Sequence, residues 1–248
     1  MSGEKVMNIG VIFAGGVGSR MRSKEKPKQF LEIYGKPIII YTLEHFERNH
    51  EIDAVVIACV EEWIPYLKEL LYKFRIEKVK SIVAGGKSGQ LSIYNGLCAA
   101  KEVAGEMRAI VLIHDGVRPL ITSKLLSENI ECVKKHGSAI TAGIVKETIV
   151  VIDEAGRVEQ VPSRVKSRVA KAPQSFWLND ILSVHEQAMK DNVFDAVDSC
   201  TLMKNYSRSL YMIDGPYENI KITTPDDYYT MRAILEAKEN AQIYGYEE

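Results

Sequence analysis

Long apolar runs, paired cysteines and an excess of either charge are all missing from this chain of 248 residues. Its apolar stretches are short and broken by charge, and the opening Met1-Ser2-Gly3-Glu4-Lys5 lacks the apolar core of a secretory signal. Membrane spanning and secretion are therefore not expected. Cys59, Cys98, Cys132 and Cys200 lie far apart with no C-x-x-C pair. That spacing argues against a zinc site or a disulfide framework, and for buried thiols in a reducing cytoplasm. A formal net charge of -1 leaves no electrostatic footprint for nucleic acid or an anionic membrane. No repeat, low-complexity tract or linker divides the chain, and a hydrophobic content of 46% is ample for one large core. A single domain over residues 1–248 is the expectation.

What is present is an alternation of two periods. Ile9 to Phe13, Ala54 to Val60, Val79 to Ala84, Ile110 to His114 and Ala139 to Val145 read as strands, most of them apolar throughout, as strands covered on both faces must be. Ile38 to Arg48, Trp63 to Phe74, Ser88 to Val103 and Ser123 to His136 carry apolar residues at helical spacing, with Ser88 and Ser123 as N-caps. The alternation predicts an α/β fold with a mostly parallel sheet flanked by helices, binding ligands beyond the carboxyl ends of its strands. After Lys146 the rhythm changes. Thr148 to Ile152 and Val158 to Val161 flank the turn Asp153 to Arg157, which reads as a projecting β-hairpin arm within residues 146–172.

The densest local signal follows the first strand. Phe13-Ala14-Gly15-Gly16-Val17-Gly18-Ser19-Arg20-Met21 lets the backbone turn sharply, and successive amide N–H groups in such a turn form a concave anion site. Arg20 and, past the stiffening Pro27, Lys28 bring fixed positive charge beside it. The dinucleotide fingerprint fails because Met21 stands where its third glycine belongs, and the Walker loop fails for want of Gly-Lys-Ser/Thr. A polyphosphate cradle is favoured over an ordinary glycine turn with two solvated cations.

In order along the chain follow Ala84-Gly85-Gly86 with Ser92, His114-Asp115-Gly116-Val117-Arg118-Pro119, Ala172-Pro173-Gln174-Ser175-Phe176 and Asn219-Ile220-Lys221-Ile222-Thr223-Thr224-Pro225. With the glycine loop, this series resembles the cytidylyltransferases that activate sugar-alcohol phosphates, the group acting on ribitol 5-phosphate or 2-C-methyl-D-erythritol 4-phosphate. The resemblance runs from near residue 8 to near residue 235. It implies a Rossmann-like nucleotidyltransferase fold, CTP and a polyol phosphate as substrates, Mg2+ as cofactor, a cytoplasmic setting and a homodimer formed through the arm. Details of the motifs look more like the ribitol branch, with the methylerythritol branch as the alternative. An aldose 1-phosphate nucleotidylyltransferase would lack the Pro-Lys-Gln-Phe and Asn-Ile-Lys elements in this form. A regulatory domain that had lost turnover would not be expected to keep Arg20 and Lys28.

Cytidylyl transfer needs no strong base, because the acceptor phosphate is already an anion; it needs cations and amides that hold two highly negative molecules in line. By the resemblance, Ala14, Gly15, Gly16 and Gly18 cradle the triphosphate, and Arg20, Lys28 and Lys221 surround the reacting phosphorus. Gly85, Gly86 and Ser92 meet the cytosine, while Arg118 adds positive charge and Asp115 holds the magnesium at the end of its strand. Thr148 and Arg164 grip the acceptor phosphate, and Asp198 meets its hydroxyls. Gly89 stands where an arginine is common and Val197 where a threonine is. Lys221 is expected to interrupt a β-like stretch, Tyr217 to Thr224, and His114 to be a structural neighbour rather than a metal ligand.

Overall fold

Strands buried at most positions form the middle of one seven-stranded sheet, with more exposed strands at its edges, in this computed structural model, which describes residues 5–15 and 26–244. The chain runs β1 (Met7–Ala14), a small antiparallel pair β2 (Glu32–Ile33) and β3 (Lys36–Pro37), α1 (Ile38–Arg48), β4 (Ala54–Cys59), α2 (Ile64–Lys73) and β5 (Val79–Ala84). It continues through α3 (Gly89–Ala104), β6 (Ala109–Asp115), α4 (Ser123–His136), β7 (Ser138–Ile144), β8 (Val151–Ile152), β9 (Val158–Gln160) and β10 (Arg168–Trp177). Last come α5 (Leu178–Lys190), α6 (Ser199–Asn205), β11 (Met212–Asp214) and α7 (Pro225–Tyr244).

The order across the sheet is β11-β7-β10-β6-β1-β4-β5. All neighbours are parallel except β10, which lies antiparallel between β6 and β7. Helices cover both faces because each strand sends alternate residues to each. Ile12, Ile57 and Leu112 pack on α1, α2 and α4, whereas Val11, Val56 and Val111 pack on α3, α5 and α6. From β1 the chain builds outward to β4 and β5, then returns to place β6 on the other side of β1. That reversal opens a crevice at the carboxyl ends of β1 and β6, the switch point where open α/β sheets bind ligands.

Helix starts are chemically marked. Ser88 caps α3 by accepting the Leu91 N–H at 3.2 Å, as expected; α4 is capped by Thr122, not Ser123, through the Leu125 N–H at 3.2 Å. Thr122 wins because it already sits in extended backbone while Ser123 is the first helical residue. The expected hairpin forms a two-stranded sheet of its own, with shorter strands than the sequence suggested. Cys59 is buried, but Cys98, Cys132 and Cys200 are half-buried, since each falls at the rim of a helix or its packing face; all are free thiols. Among the described residues no helix is long and apolar enough to cross a membrane.

Candidate active site

The crevice is built from the ends of β1 and β6. Phe13 lies in register with Asp115, and the Gly116 N–H donates to the Phe13 carbonyl at 3.0 Å. Gly15 packs against the loop after β5: a Cβ on Gly85 would lie 3.5 Å from the Gly15 Cα and 3.2 Å from Ser92 Oγ. A Cβ on either glycine would crowd the Ser92 hydroxyl between the two turns, at 3.0 Å from Gly15 and 3.2 Å from Gly85. Ser92 holds them, accepting from the Gly86 N–H at 3.0 Å and donating to the Ser88 carbonyl at 2.9 Å. Its hydroxyl therefore shapes the Gly85-Gly86 turn from within. Gly16, Gly18 and Arg20 lie outside the described residues.

Lys28 is placed by its neighbours. It opens a single 3-10 turn, Lys28–Phe30, whose Gln29 side chain donates to the Ala14 carbonyl at 2.7 Å. Phe30 is fully buried and stacks on Trp63 with ring centroids 5.1 Å apart. Burying such a ring is worth about 2 to 3 kcal/mol, enough to pin the turn, and the largely buried Lys28, beside the end of β1.

Asp115 is the electrostatic centre. Only 4% exposed, it meets Arg118 Nε at 2.7 Å through Oδ2 and Lys221 Nζ at 2.5 Å through Oδ1. Burial alone would raise its carboxyl, but the two cations prevail and hold it at about 2. Lys221 reaches this point from far along the chain, and not on a strand: 217–224 is irregular backbone. That segment is tied down by Ile222 N–H to the Val117 carbonyl at 2.9 Å and by Arg118 Nη1 to the Asn219 carbonyl at 3.1 Å. These bonds to the 115–118 turn, instead of a sheet ladder, are why the β-like reading fails. His114, fully buried, hydrogen-bonds the Arg118 carbonyl at 3.1 Å, and burial pushes its imidazole down to about 4. It is a neutral structural group.

Beside this centre opens a cavity of about 230 Å³, lined among others by Phe13, Asp115, Arg118, Lys171, Gln174, Asp198 and Lys221. Asp198 does two things: its carboxylate caps α6 through the Thr201 N–H at 2.8 Å and accepts from Gln174 Nε2 at 2.9 Å. Gly89 and the exposed Val197 also line the cavity. Thr148 and Arg164 do not. Both are exposed on the arm, where Arg164 begins a 3-10 turn and reaches the Lys146 carbonyl at 3.4 Å. Thus the structure brings Ala14, Gly15, Lys28, Gly85, Gly86, Ser92, Asp115, Arg118, Asp198 and Lys221 to one end of the sheet and leaves the arm residues apart. Sequence reasoning missed Lys171. Among the described residues no three His, Cys, Asp or Glu side chains converge as a metal cage.

The arrangement suits an anionic ligand: cations around one carboxylate at a switch point, with glycine turns beside it. Comparison with known proteins agrees. Residues 8–237 match the family described as IspD, 2-C-methyl-D-erythritol 4-phosphate cytidylyltransferase. A ribitol-5-phosphate cytidylyltransferase of Streptococcus agalactiae serotype V is 54% identical over 97% of this chain and 100% of that protein. A 2-C-methyl-D-erythritol 4-phosphate cytidylyltransferase of Clostridium acetobutylicum is 40% identical over 92% and 97%. The crystal structure of 4-diphosphocytidyl-2C-methyl-D-erythritol synthase from Anaerococcus prevotii superposes with a TM-score of 0.81 at 28% identity, covering 93% of this chain and 96% of that one.

Proposed function

The chain belongs to the IspD family of cytidylyltransferases, and on that premise we propose that it transfers the cytidylyl group of CTP to D-ribitol 5-phosphate, giving CDP-ribitol and pyrophosphate. An oxygen of the acceptor phosphate bonds to the α-phosphorus of CTP as the bond from that phosphorus to the departing pyrophosphate breaks. The choice of acceptor is carried by the 54% identity to ribitol-5-phosphate enzymes over nearly the whole chain, against 40% for methylerythritol-phosphate enzymes. Supply of a cell-wall or capsule precursor is part of the same proposal, as is a cytoplasmic setting, which rests on the widely spaced, unpaired cysteines.

The residues divide the work. Ala14 and Gly15, with Gly16, Gly18 and Arg20 beyond the described part of the loop, cradle the triphosphate. Lys28, beside the end of β1, and Lys221, in the cavity, supply positive charge for the reacting phosphorus, where preorganised charge is worth most. Gly85 and Gly86 present backbone to the cytosine, and Asp198 faces the polyol. A magnesium ion fits the donor set: one carboxylate, Asp115, ionised at any working pH, with phosphate oxygens and water completing the shell. Asp115 would hold such an ion, which would supply charge neutralisation for the triphosphate, while Lys221 beside it supplies positive charge of its own.

Homodimerisation through the arm is supported by its surface. Ile152, Val158, Val161 and Val165 of the arm, with Ile144 at the end of β7 just before it, are between 58% and 83% exposed, apolar side chains that a monomer would leave in water. A partner covering them would carry Thr148 and Arg164 toward its own neighbour's cavity. The test is purified protein with CTP and magnesium against ribitol, methylerythritol, arabinitol and glycerol phosphates, following pyrophosphate release. The highest kcat/KM is expected with ribitol 5-phosphate; a preference for methylerythritol phosphate would refute the acceptor, and no release with any would refute the activity.

A further inference from the structure

We propose that Lys171, presented to the cavity by a break in β10, binds the phosphate of the acceptor and so contributes to acceptor affinity; this rests on the reading of the chain as a polyol-phosphate cytidylyltransferase. The break is visible in the register. Ala170 pairs with Ala142 and Gln174 with Ile140, so β10 advances four residues while β7 advances two. Surplus residues of this kind re-aim side chains beside active sites, and here they bring Lys171 and Ala172 to the cavity wall with Arg118 and Lys221. Room for the lysine stem comes from Gly143, where a Cβ would lie 2.9 Å from Lys171 Cε.

The ammonium is held but not neutralised. It donates to the Pro216 carbonyl at 3.2 Å and the Tyr217 carbonyl at 3.0 Å, and among the described residues no carboxylate forms an ion pair with it. Asp115, the buried carboxylate of the cavity wall, is already engaged by Arg118 and Lys221. An ammonium has three protons, so one remains for a ligand. Half-buried, Lys171 is pushed below its ordinary range by desolvation and by the neighbouring Arg118 and Lys146, with Glu218 opposing. A cation kept in such company, with Glu218 acting only at a distance and no carboxylate paired to it among the described residues, is stabilised when an anion arrives, and the acceptor supplies one.

The competing role is mechanical, since the same two bonds clamp the segment leading to Lys221. Steady-state kinetics separate the two. In Lys171→Met, KM for D-ribitol 5-phosphate should rise about 10- to 100-fold, the loss typical of a hydrogen bond to a charged group. KM for CTP and kcat should each stay within about threefold, and inhibition by inorganic phosphate competing with the acceptor should weaken in parallel. Lys171→Arg should recover most of the affinity. Should the Met variant fail to show a cooperative melt, Lys171→Gln, which keeps a donor for the carbonyls and drops the charge, carries the same test. An unchanged acceptor KM, or a fall in kcat with KM held, would overturn the assignment. Failure of the wild-type protein to use any polyol phosphate would instead bring down the activity on which it rests.

Discussion

Replacing His185 with Phe should make the protein markedly more tolerant of mild acid. His185 lies on α5, 1% exposed and stacked on Tyr94 of α3 with ring centroids 5.9 Å apart. Neither ring nitrogen has a hydrogen-bond partner among the described residues. Burial alone pushes the imidazole down from the ordinary 6.5 to about 4. The sign follows directly: between those values the unfolded chain binds a proton that the folded chain refuses, so stability falls as pH drops below 6.5. Integrated from pH 7.5 to pH 5, that refusal costs about 2 kcal/mol. His114, buried to the same depth of titration, adds a similar amount and is untouched by the substitution. Asp115, held at about 2, does not titrate in this window. Urea unfolding at pH 7.5 and 5 should therefore show the wild type losing about 2 kcal/mol more than His185→Phe over the same interval. Comparing each protein with itself removes any packing cost of the larger ring. An identical loss in both would mean that the histidine is protonated in the fold, and the reasoning from burial would be wrong.

Lys28→Ala, Lys221→Ala and Arg20→Ala should each lower kcat about 100- to 1000-fold in the pyrophosphate-release assay, the scale of a lost preorganised charge, with Lys221→Ala also lowering the melting temperature because it strips a cation from the buried Asp115; near-normal turnover would remove that residue from the reaction. Asp115→Asn should raise the magnesium concentration needed for half-maximal rate by about tenfold or more, and full activity of the wild type in excess chelator would refute a metal role altogether. Arg164→Ala mixed with Lys28→Ala should regenerate activity that neither has alone, because a mixed dimer holds one site with both residues intact; sedimentation must show the dimer, and mixed dimers without activity would refute a shared site.

Which of these residues could be found from sequence depended on whether their setting is local. β1, β4 and β6 are continuous apolar runs because both faces of each strand are covered by helices, and that burial is written in consecutive residues. The glycine loop is legible for the same reason: turn, glycines and cations lie within a few residues of one another. β10 is not. Its outer half is exposed and charged at Arg168, Pro173 interrupts the ladder, and the surplus residues break the alternation that would mark a strand. Lys171 was hidden by that break, although a lysine immediately before the buried run Ala172 to Phe176 was the available signal.

Lys221 shows the opposite failure, a residue identified for its motif while its backbone was misread. Alternating apolar residues at Ile220 and Ile222 suggest a strand, yet Ile222 is buried against Val117 and bonded to it, and Asn219 is fully buried with its amide donating to the Ala172 carbonyl at 2.7 Å. Three distant segments, 115–118, 171–174 and 219–222, thus close on one another, each supplying a cation to one cavity: Arg118, Lys171 and Lys221. No local pattern encodes that convergence, because the bonds that make it run between segments distant in sequence: 219–222 is tied to 115–118 through Ile222 N–H and Arg118, and to 171–174 through the Asn219 side chain. The same fact gives the cavity its chemistry. The backbones that carry these positive charges are tied together before any ligand arrives, with Asp115 the carboxylate paired to two of them, so under the proposed function an incoming phosphate would meet charge already assembled.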